Sequence, residues 1–243
     1  LFDYNNQLIF TSTGRSGFSS SGATKSALRS LANYNYKYDE SINKNTTQQL
    51  QDYTFDPKSE ESIKKWLNDN KAENIFPDRK IISIYLDNEE KKMYEESIEG
   101  IVPRHKLRLR YYNDNKEICS LERKITSVEG RFKTSKKVNF DKLFLIGVFD
   151  KFYGNCKPVI KIDYIRSYFK IKNFRFTIDT NINFNGINLN KIFSSIVYRT
   201  NKTIIELKCQ DKDKYSPFYN QINFEKARFS KYCEGIQKVT NLN

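Results

Sequence analysis

Residues 104–111 read RHKLRLRY, so a cation stands at every second position. The four cations are Arg104, Lys106, Arg108 and Arg110. Because alternate side chains of a strand point to opposite faces, all four would line one face of a sheet. Guanidinium and ammonium groups in such a row are suited to binding anionic oxygens, so the chemistry they favour is recognition of a polyanion.

The same alternation recurs in later segments, each of which pairs an apolar face with a charged face. SLERKIT places Glu122 and Lys124 on one face, TIIELKC places Glu206 and Lys208 together, and FRFTIDT contributes Arg175. An exposed sheet face in a lysine-rich chain is often charged, which by itself explains any single strand. If several such strands close into a barrel, however, the cations converge on its interior, where an anion has to neutralise them.

Strand-like alternation dominates the chain from about residue 80. Strands are predicted over residues 80–87, 104–112, 118–126, 159–169, 174–184 and 203–209. A helix is predicted over 56–70 with Ser59 as its N-cap, and a second over 224–236 that ends at Gly235. Consecutive strands with hairpin-length connections indicate an antiparallel sheet or barrel, so the predicted fold class is mainly β (α+β).

Length and composition narrow the classes of protein. Residues 1–50 are rich in Ser, Gly and Asn and lack apolar periodicity, which predicts an extended or flexible arm before one domain over 51–243. The net charge of +13 favours nucleic acid, a phosphorylated molecule, polyphosphate or an acidic membrane as partner.

One histidine and four scattered cysteines argue against the usual zinc site. Because no apolar run approaches the roughly 20 residues of a membrane-spanning helix, we expect a soluble, cytoplasmic protein.

The ordered motifs between about residues 52 and 240 resemble the VTC domain, the polyphosphate-polymerase branch of the triphosphate tunnel metalloenzymes in the CYTH-like superfamily. These motifs are R-x-K-x-R-x-R-Y, L-E-x-K, Y-x-R, F-R-x-T-x-D, I-E-x-K and S-K-Y-x-x-G-I. The resemblance implies an antiparallel eight-stranded β-barrel with a few flanking helices and a basic tunnel. Such a tunnel binds triphosphate, ATP or polyphosphate with a divalent metal, and it supports polyphosphate synthesis or triphosphate hydrolysis.

The resemblance also implies roles for particular residues. Glu206 and Lys124 would be catalytic, and Glu206 would also hold Mn²⁺ or Mg²⁺. The phosphate-binding residues would be Arg104, Lys106, Arg108, Arg110, Lys133, Lys136, Arg166, Arg175, Lys208, Ser230 and Lys231.

The chain departs from the family at the first strand, which normally carries a Glu-x-Lys pair. The aligned stretch LQDYTFDPK has Asp52, Asp56 and Lys58 at other spacings. Either a lysine such as Lys58 substitutes, or part of the catalytic equipment is lost. The alternative function is therefore a non-catalytic module of a larger assembly such as a phage particle, docked on protein partners through residues 1–50 and located in the virion. Direct nucleic-acid binding ranks last, because most aromatic residues occupy apolar strand positions.

Overall fold

The computed structural model describes residues 49–55, 60–188, 190, 192–209, 217–220 and 229–240. The strands are β1 Gln49–Phe55, β2 Glu73–Asp87, β3 Arg104–Tyr112, β4 Asn115–Thr126, β5 Arg131–Val138, β6 Val148–Asp150, β7 Gly154–Ile171, β8 Phe174–Ile187, β9 Phe193–Thr200 and β10 Thr203–Cys209. The helices are α1 Glu60–Asp69, α2 Lys92–Glu99, α3 Phe140–Ile146, α4 Pro217–Asn220 and α5 Lys231–Thr240. The predicted arm lies outside these residues except for its last two, which begin β1. No helix among the described residues is long and apolar enough to cross a membrane.

Antiparallel pairing joins eight strands in the order β1-β10-β8-β7-β2-β3-β4-β5, with β6 added to β7 and β9 added to β8. Tight turns explain several of these neighbours. Between β3 and β4 the two loop residues, Asn113 and Asp114, both have positive φ, as the two-residue turns of hairpins require. The predicted mainly antiparallel β class with flanking helices is therefore confirmed.

The sheet curls without being closed by backbone pairing. Among the described residues no ladder joins β1 to β5, the two ends of the eight-strand path. Side chains of distant strands nevertheless approach each other. The pKa of Lys208 on β10 is lowered first by burial, then by Arg175 and Arg166, and also by the charge of Lys133 on β5. In the described part of the chain, the predicted barrel is thus a curled sheet whose end strands do not pair with each other, and the space on its concave inner face is called the tunnel below.

Apolar side chains of the convex outer face pack beneath the helices. Ile63 and Leu67 of α1 pack on Phe176 and Leu207, and all four are at most 5% exposed. A larger cluster joins β2 and β3 to α2 and α3, with Met93 among its buried members. These helices have only one strongly apolar side, which the sheet covers, and this burial is the main source of their stability.

The last helix corrects a prediction made from the sequence. A helix ending at Gly235 was expected over 224–236, whereas α5 begins at Lys231 and continues through Gly235 to Thr240. A Cβ on Gly235 would lie 2.6 Å from a ring carbon of Phe184 and 2.7 Å from the Ile160 Cδ1 atom. The glycine thus permits close packing of α5 on β7 and β8 rather than terminating the helix. The predicted residues 224–228 lie outside the described part of the chain.

Candidate functional site

The register of the sheet places the alternating charges of several strands on its inner face. Lys106 of β3 lies opposite Lys124 of β4, which in turn lies opposite Lys133 of β5. Directly opposed residues of antiparallel strands share a face, so three ammonium groups form one row. In the next row along the strands, Arg108 lies opposite Glu122. The sequence prediction that these cations share one face is confirmed.

Glu122 is the centre of the first charge cluster and is 3% exposed. Its Oε2 atom accepts a hydrogen bond of 2.7 Å from Arg108 Nε, and its Oε1 atom accepts one of 2.5 Å from Lys133 Nζ. Arg110 Nη1 lies 3.7 Å from the same carboxylate. Burial would raise the pKa of Glu122, but these three cations hold it well below its usual range. The carboxylate is therefore ionised at neutral pH.

Hydroxyl groups fix the two arginines of this cluster. Arg108 Nη1 donates to the Tyr85 hydroxyl at 3.0 Å, and its guanidinium lies 5.8 Å from the centroid of that ring. Arg110 Nη2 donates to Ser83 Oγ and to the Tyr164 hydroxyl, each at 3.1 Å. A guanidinium held on several sides is pre-organised, which lowers the entropy lost when it binds an oxyanion.

Asp179 is the centre of the second cluster and is fully buried. Arg166 donates to it through Nε at 2.5 Å and through Nη2 at 2.7 Å, in a bidentate pair. Lys231 Nζ lies 2.6 Å from the Asp179 Oδ2 atom. The Nη2 atom of Arg166 also lies 3.2 Å from Glu206 Oε1, which joins β10 to the cluster. Burial opposes ionisation of Glu206, but Arg166 and nearby lysines hold its pKa well below the usual range.

Three inner-face lysines form no ion pair with a carboxylate in the part of the chain that the structure describes. They are Lys106, Lys124 and Lys208. Burial lowers the pKa of Lys106, and Lys208 is affected in the same way. Burial and then Arg108 lower the pKa of Lys124 well below its usual range. Cations that are desolvated without a counter-ion are costly in the free protein, and an added anion would relieve that cost.

Helix α5 brings Ser230 and Lys231 to the tunnel, and Asp87 holds this helix in place. Lys106 Nζ donates to Ser230 Oγ at 2.7 Å. The Tyr232 hydroxyl donates to Asp87 Oδ2 at 2.5 Å, and the Tyr232 ring stacks on Tyr85 at 4.9 Å between centroids. Asp87 also accepts hydrogen bonds from the first backbone N–H groups of α2, so it couples the end of β2 to two helices.

The structure places three predicted phosphate ligands away from these clusters. Arg104 Nη1 donates to the carbonyl of Ile101 at 3.1 Å, beyond the end of α2. Lys136 lies opposite Leu121 and is exposed on the outer side of the sheet. Arg175 lies on the inner face at one end of β8, opposite Lys208 and exposed. The remaining predicted residues come together on the inner face.

Sequence reasoning missed several residues that organise the site. It assigned no role to Asp179, Tyr85, Tyr164 or Ser83, and it noted Glu122 only as a neighbour of Lys124. Asp179 and Glu122 were detectable, because each is the sole carboxylate of a charged strand face. The hydroxyl partners gave no signal, since contacts between separate strands do not show in local spacing.

The described carboxylates do not by themselves form a resident metal site. Among the described residues no group of three or more His, Cys, Asp or Glu side chains could hold a metal ion. Glu206, the predicted metal ligand, instead pairs with Arg166. The register places Asp52 of β1 opposite Glu206, whereas Asp56 and Lys58 lie outside the described residues. A single carboxylate suits Mg²⁺ or Mn²⁺ only when phosphate oxygens and water supply the other ligands.

A curled antiparallel sheet whose inner face carries paired and unpaired cations defines a basic tunnel protein. The family model of the VTC domain matches residues 34–240, and the chain belongs to this family.

Solved structures with similar folds include a candidate adenylate cyclase from Vibrio parahaemolyticus, with 11% identity, a TM-score of 0.48, and coverage of 78% of this chain and 98% of that chain. A Hippeastrum protein, described as a candidate adenylyl cyclase with a dominant triphosphatase activity, has 10% identity, a TM-score of 0.48, and coverage of 78% and 96%. A Pyrococcus horikoshii protein has 14% identity, a TM-score of 0.46, and coverage of 78% and 99%. No curated protein matches the chain. These similarities are low, so the family assignment rests on the sequence match.

Proposed function

We propose that this protein binds a triphosphate or a linear polyphosphate in its tunnel and transfers or hydrolyses the terminal phosphoryl group. The observation that carries the proposal is a set of inner-face lysines that form no ion pair with a carboxylate among the described residues, Lys106, Lys124 and Lys208. They lie on three strands that the curl of the sheet brings together.

The balance of charge on the inner face supports a ligand with several negative charges. Among the described side chains, the two clusters and the three lysines contain eight basic groups and three carboxylates, Glu122, Asp179 and Glu206. A single monophosphate would leave most of this excess uncompensated. A chain of phosphates matches a row of cations along a tunnel better, because each phosphate unit carries its own charge.

The described residues divide the work of phosphoryl transfer. Arg108, Arg110 and Arg166 hold phosphate oxygens in fixed directions, because hydroxyl and carboxylate partners orient their guanidinium groups. Lys124 places a positive charge in the enclosed tunnel, where negative charge on a transferring phosphoryl group is stabilised. A divalent cation arriving with the phosphates, next to Glu206, would supply further charge neutralisation and orientation. No covalent intermediate is required.

The test combines a melting curve with a phosphate-release assay. A ligand that binds only the folded state raises the melting temperature. We expect tripolyphosphate to raise it more than an equal concentration of phosphate, and ATP with Mn²⁺ to release phosphate. A rise without turnover would restrict the function to binding, whereas no rise with tripolyphosphate or ATP would refute the proposal.

A further inference from the structure

Glu122 occupies the place of an anion in the free tunnel. Its two oxygens contact Arg108 and Lys133, and Arg110 approaches the same group. Sequence motifs assign these three cations to phosphate, yet in this structure a carboxylate of the protein neutralises them. We infer that Glu122 is an internal competitor that sets how much negative charge a ligand needs in order to bind. This inference rests on the proposed function.

The hydrogen-bonding capacity of Arg108 shows how the competition would work. A guanidinium has five N–H donors. Nε and Nη2 of Arg108 point to Glu122, and Nη1 donates to the Tyr85 hydroxyl. A phosphate at this position therefore meets a guanidinium whose best bidentate edge is already occupied. It either displaces the carboxylate or accepts the remaining, less favourable donors.

Lys133 is the partner that can leave Glu122 most easily. Its side chain is 39% exposed, compared with 9% for Arg108, and β5 is the last strand of the sheet path. A long ammonium side chain at such an edge can turn towards a ligand without disturbing the buried arginines. The phosphate would then lie near an ionised carboxylate, and a weakly charged ligand has fewer attractions to other cations that offset this repulsion.

Competition by Glu122 therefore sets a threshold for the charge of a ligand that can bind. A polyphosphate contacts Lys106, Lys124 and Lys208 as well, and these attractions outweigh the repulsion from one carboxylate. A monophosphate reaches fewer cations and meets the same repulsion. Discrimination by a built-in repulsive group is a general route to specificity.

The test is the Glu122→Gln variant, which keeps the shape of the side chain and removes its charge. We expect the free variant to melt at a lower temperature than the wild type, because three cations lose their counter-ion. Its affinities for tripolyphosphate and for phosphate, measured by titration calorimetry, should each rise roughly tenfold, because the variant removes the same repulsion from both ligands. The matched control is Glu117→Gln, an exposed carboxylate on the same strand, for which both affinities stay unchanged.

A second pair of variants covers the case in which Glu122→Gln does not fold. Glu122→Gln/Lys133→Gln keeps the net charge of the cluster, and Lys133→Gln alone is its reference. The double variant should bind tripolyphosphate more tightly than the reference. Equal or weaker binding in the variants that lack Glu122, while the wild type still binds, would overturn the inference and leave the proposed function standing. If the wild type bound no tripolyphosphate, the proposed function would fail, and this inference with it.

Discussion

Lys124 on β4 and Glu206 on β10 influence each other across the tunnel, although four other strands separate them along the sheet. Burial raises the pKa of Glu206, whereas Arg166, Lys231 and then Lys124 lower it. Glu206 in turn partly offsets the burial and the Arg108 charge that lower the pKa of Lys124. The curl of the sheet therefore makes one electrostatic site from residues about 80 positions apart. An anion between them would be attracted by Lys124 and repelled by Glu206, unless a metal ion lay between the anion and Glu206.

Replacing Lys124 with methionine should have opposite effects on stability and on binding. Lys124→Met removes an enclosed ammonium group that forms no ion pair among the described residues, so the free protein should gain about 1 kcal/mol in free energy of unfolding. The same change should weaken tripolyphosphate binding by roughly tenfold or more, because a charge-assisted contact is lost. Thermal melting and titration calorimetry measure the two effects.

Lys136→Met is the matched control for that variant, since Lys136 lies on the outer side of β5 and is exposed. It should change neither quantity beyond experimental error. A Lys124→Met variant that loses stability and keeps full affinity would show that Lys124 is a structural residue only.

Binding of tripolyphosphate should be accompanied by uptake of protons. Burial and Arg108 lower the pKa of Lys124 in the free protein, and burial also lowers the pKa of Lys106. An adjacent polyanion raises both pKa values, so the bound state holds more protons than the free state and affinity falls as the pH rises. Calorimetry at pH 8 in two buffers of different ionisation enthalpy measures the uptake, which Lys124→Met should reduce. Proton release on binding would contradict this account.

Divalent metal should act only together with phosphate. Mn²⁺ alone should leave the melting temperature unchanged, because Glu206 already pairs with Arg166 and the described residues form no metal site. Mn²⁺ should increase the stabilisation given by tripolyphosphate in the wild type and in Glu117→Gln. It should not do so in Glu206→Gln. Stabilisation of the wild type by Mn²⁺ alone would instead indicate a resident metal.

The loss of folding stability between pH 7 and pH 4 should come largely from His105, which lies outside the tunnel. His105 is 4% exposed and packs against Phe152 and Tyr153. Burial lowers its pKa to about 4, although Asp150 opposes this effect and Arg123 adds to it. The unfolded chain therefore binds a proton between about pH 6.5 and pH 4 that the folded protein does not, and the free energy of unfolding should fall by about 3 kcal/mol as the pH falls through this range.

His105→Gln removes the titrating group and is the variant that isolates this effect. Its stability should change less than that of the wild type between pH 7 and pH 4.5, measured by urea unfolding. Identical pH profiles for the two proteins would remove His105 from the account. The difference between them is the relevant quantity, because burial raises the pKa of Asp87 and its titration acts in the opposite direction.

Local periodicity predicted six of the ten described strands and the alternation of sides along them, but it did not predict β1, β5, β6 or β9. The segment RHKLRLRYY is β3 over the full predicted range, and Ile205 and Leu207 are buried opposite Glu206 as the alternation required. The order of strands in the sheet did not follow from periodicity, because β1 pairs with β10 and β2 pairs with β7, and the members of each pair are far apart in the sequence.

The sequence revealed the tunnel cations better than their counter-ions. Alternation identified Arg108 as an inward cation and the family resemblance identified Arg166, but local spacing did not show which cations Glu122 and Asp179 neutralise. Those pairs depend on strand register and on the rotamers of long side chains. The interpretation of Gly235 was wrong for a similar reason: a glycine needed for packing on Phe184 has the same local sequence signature as one that ends a helix.

The most direct test of the central claim is a crystal structure of the protein with bound tripolyphosphate. The account predicts phosphate groups inside the tunnel, with oxygens about 3 Å from the Nζ atoms of Lys106, Lys124 and Lys208. A structure at saturating ligand with the phosphates on the outer face, for example at Lys136, and none in the tunnel would contradict it.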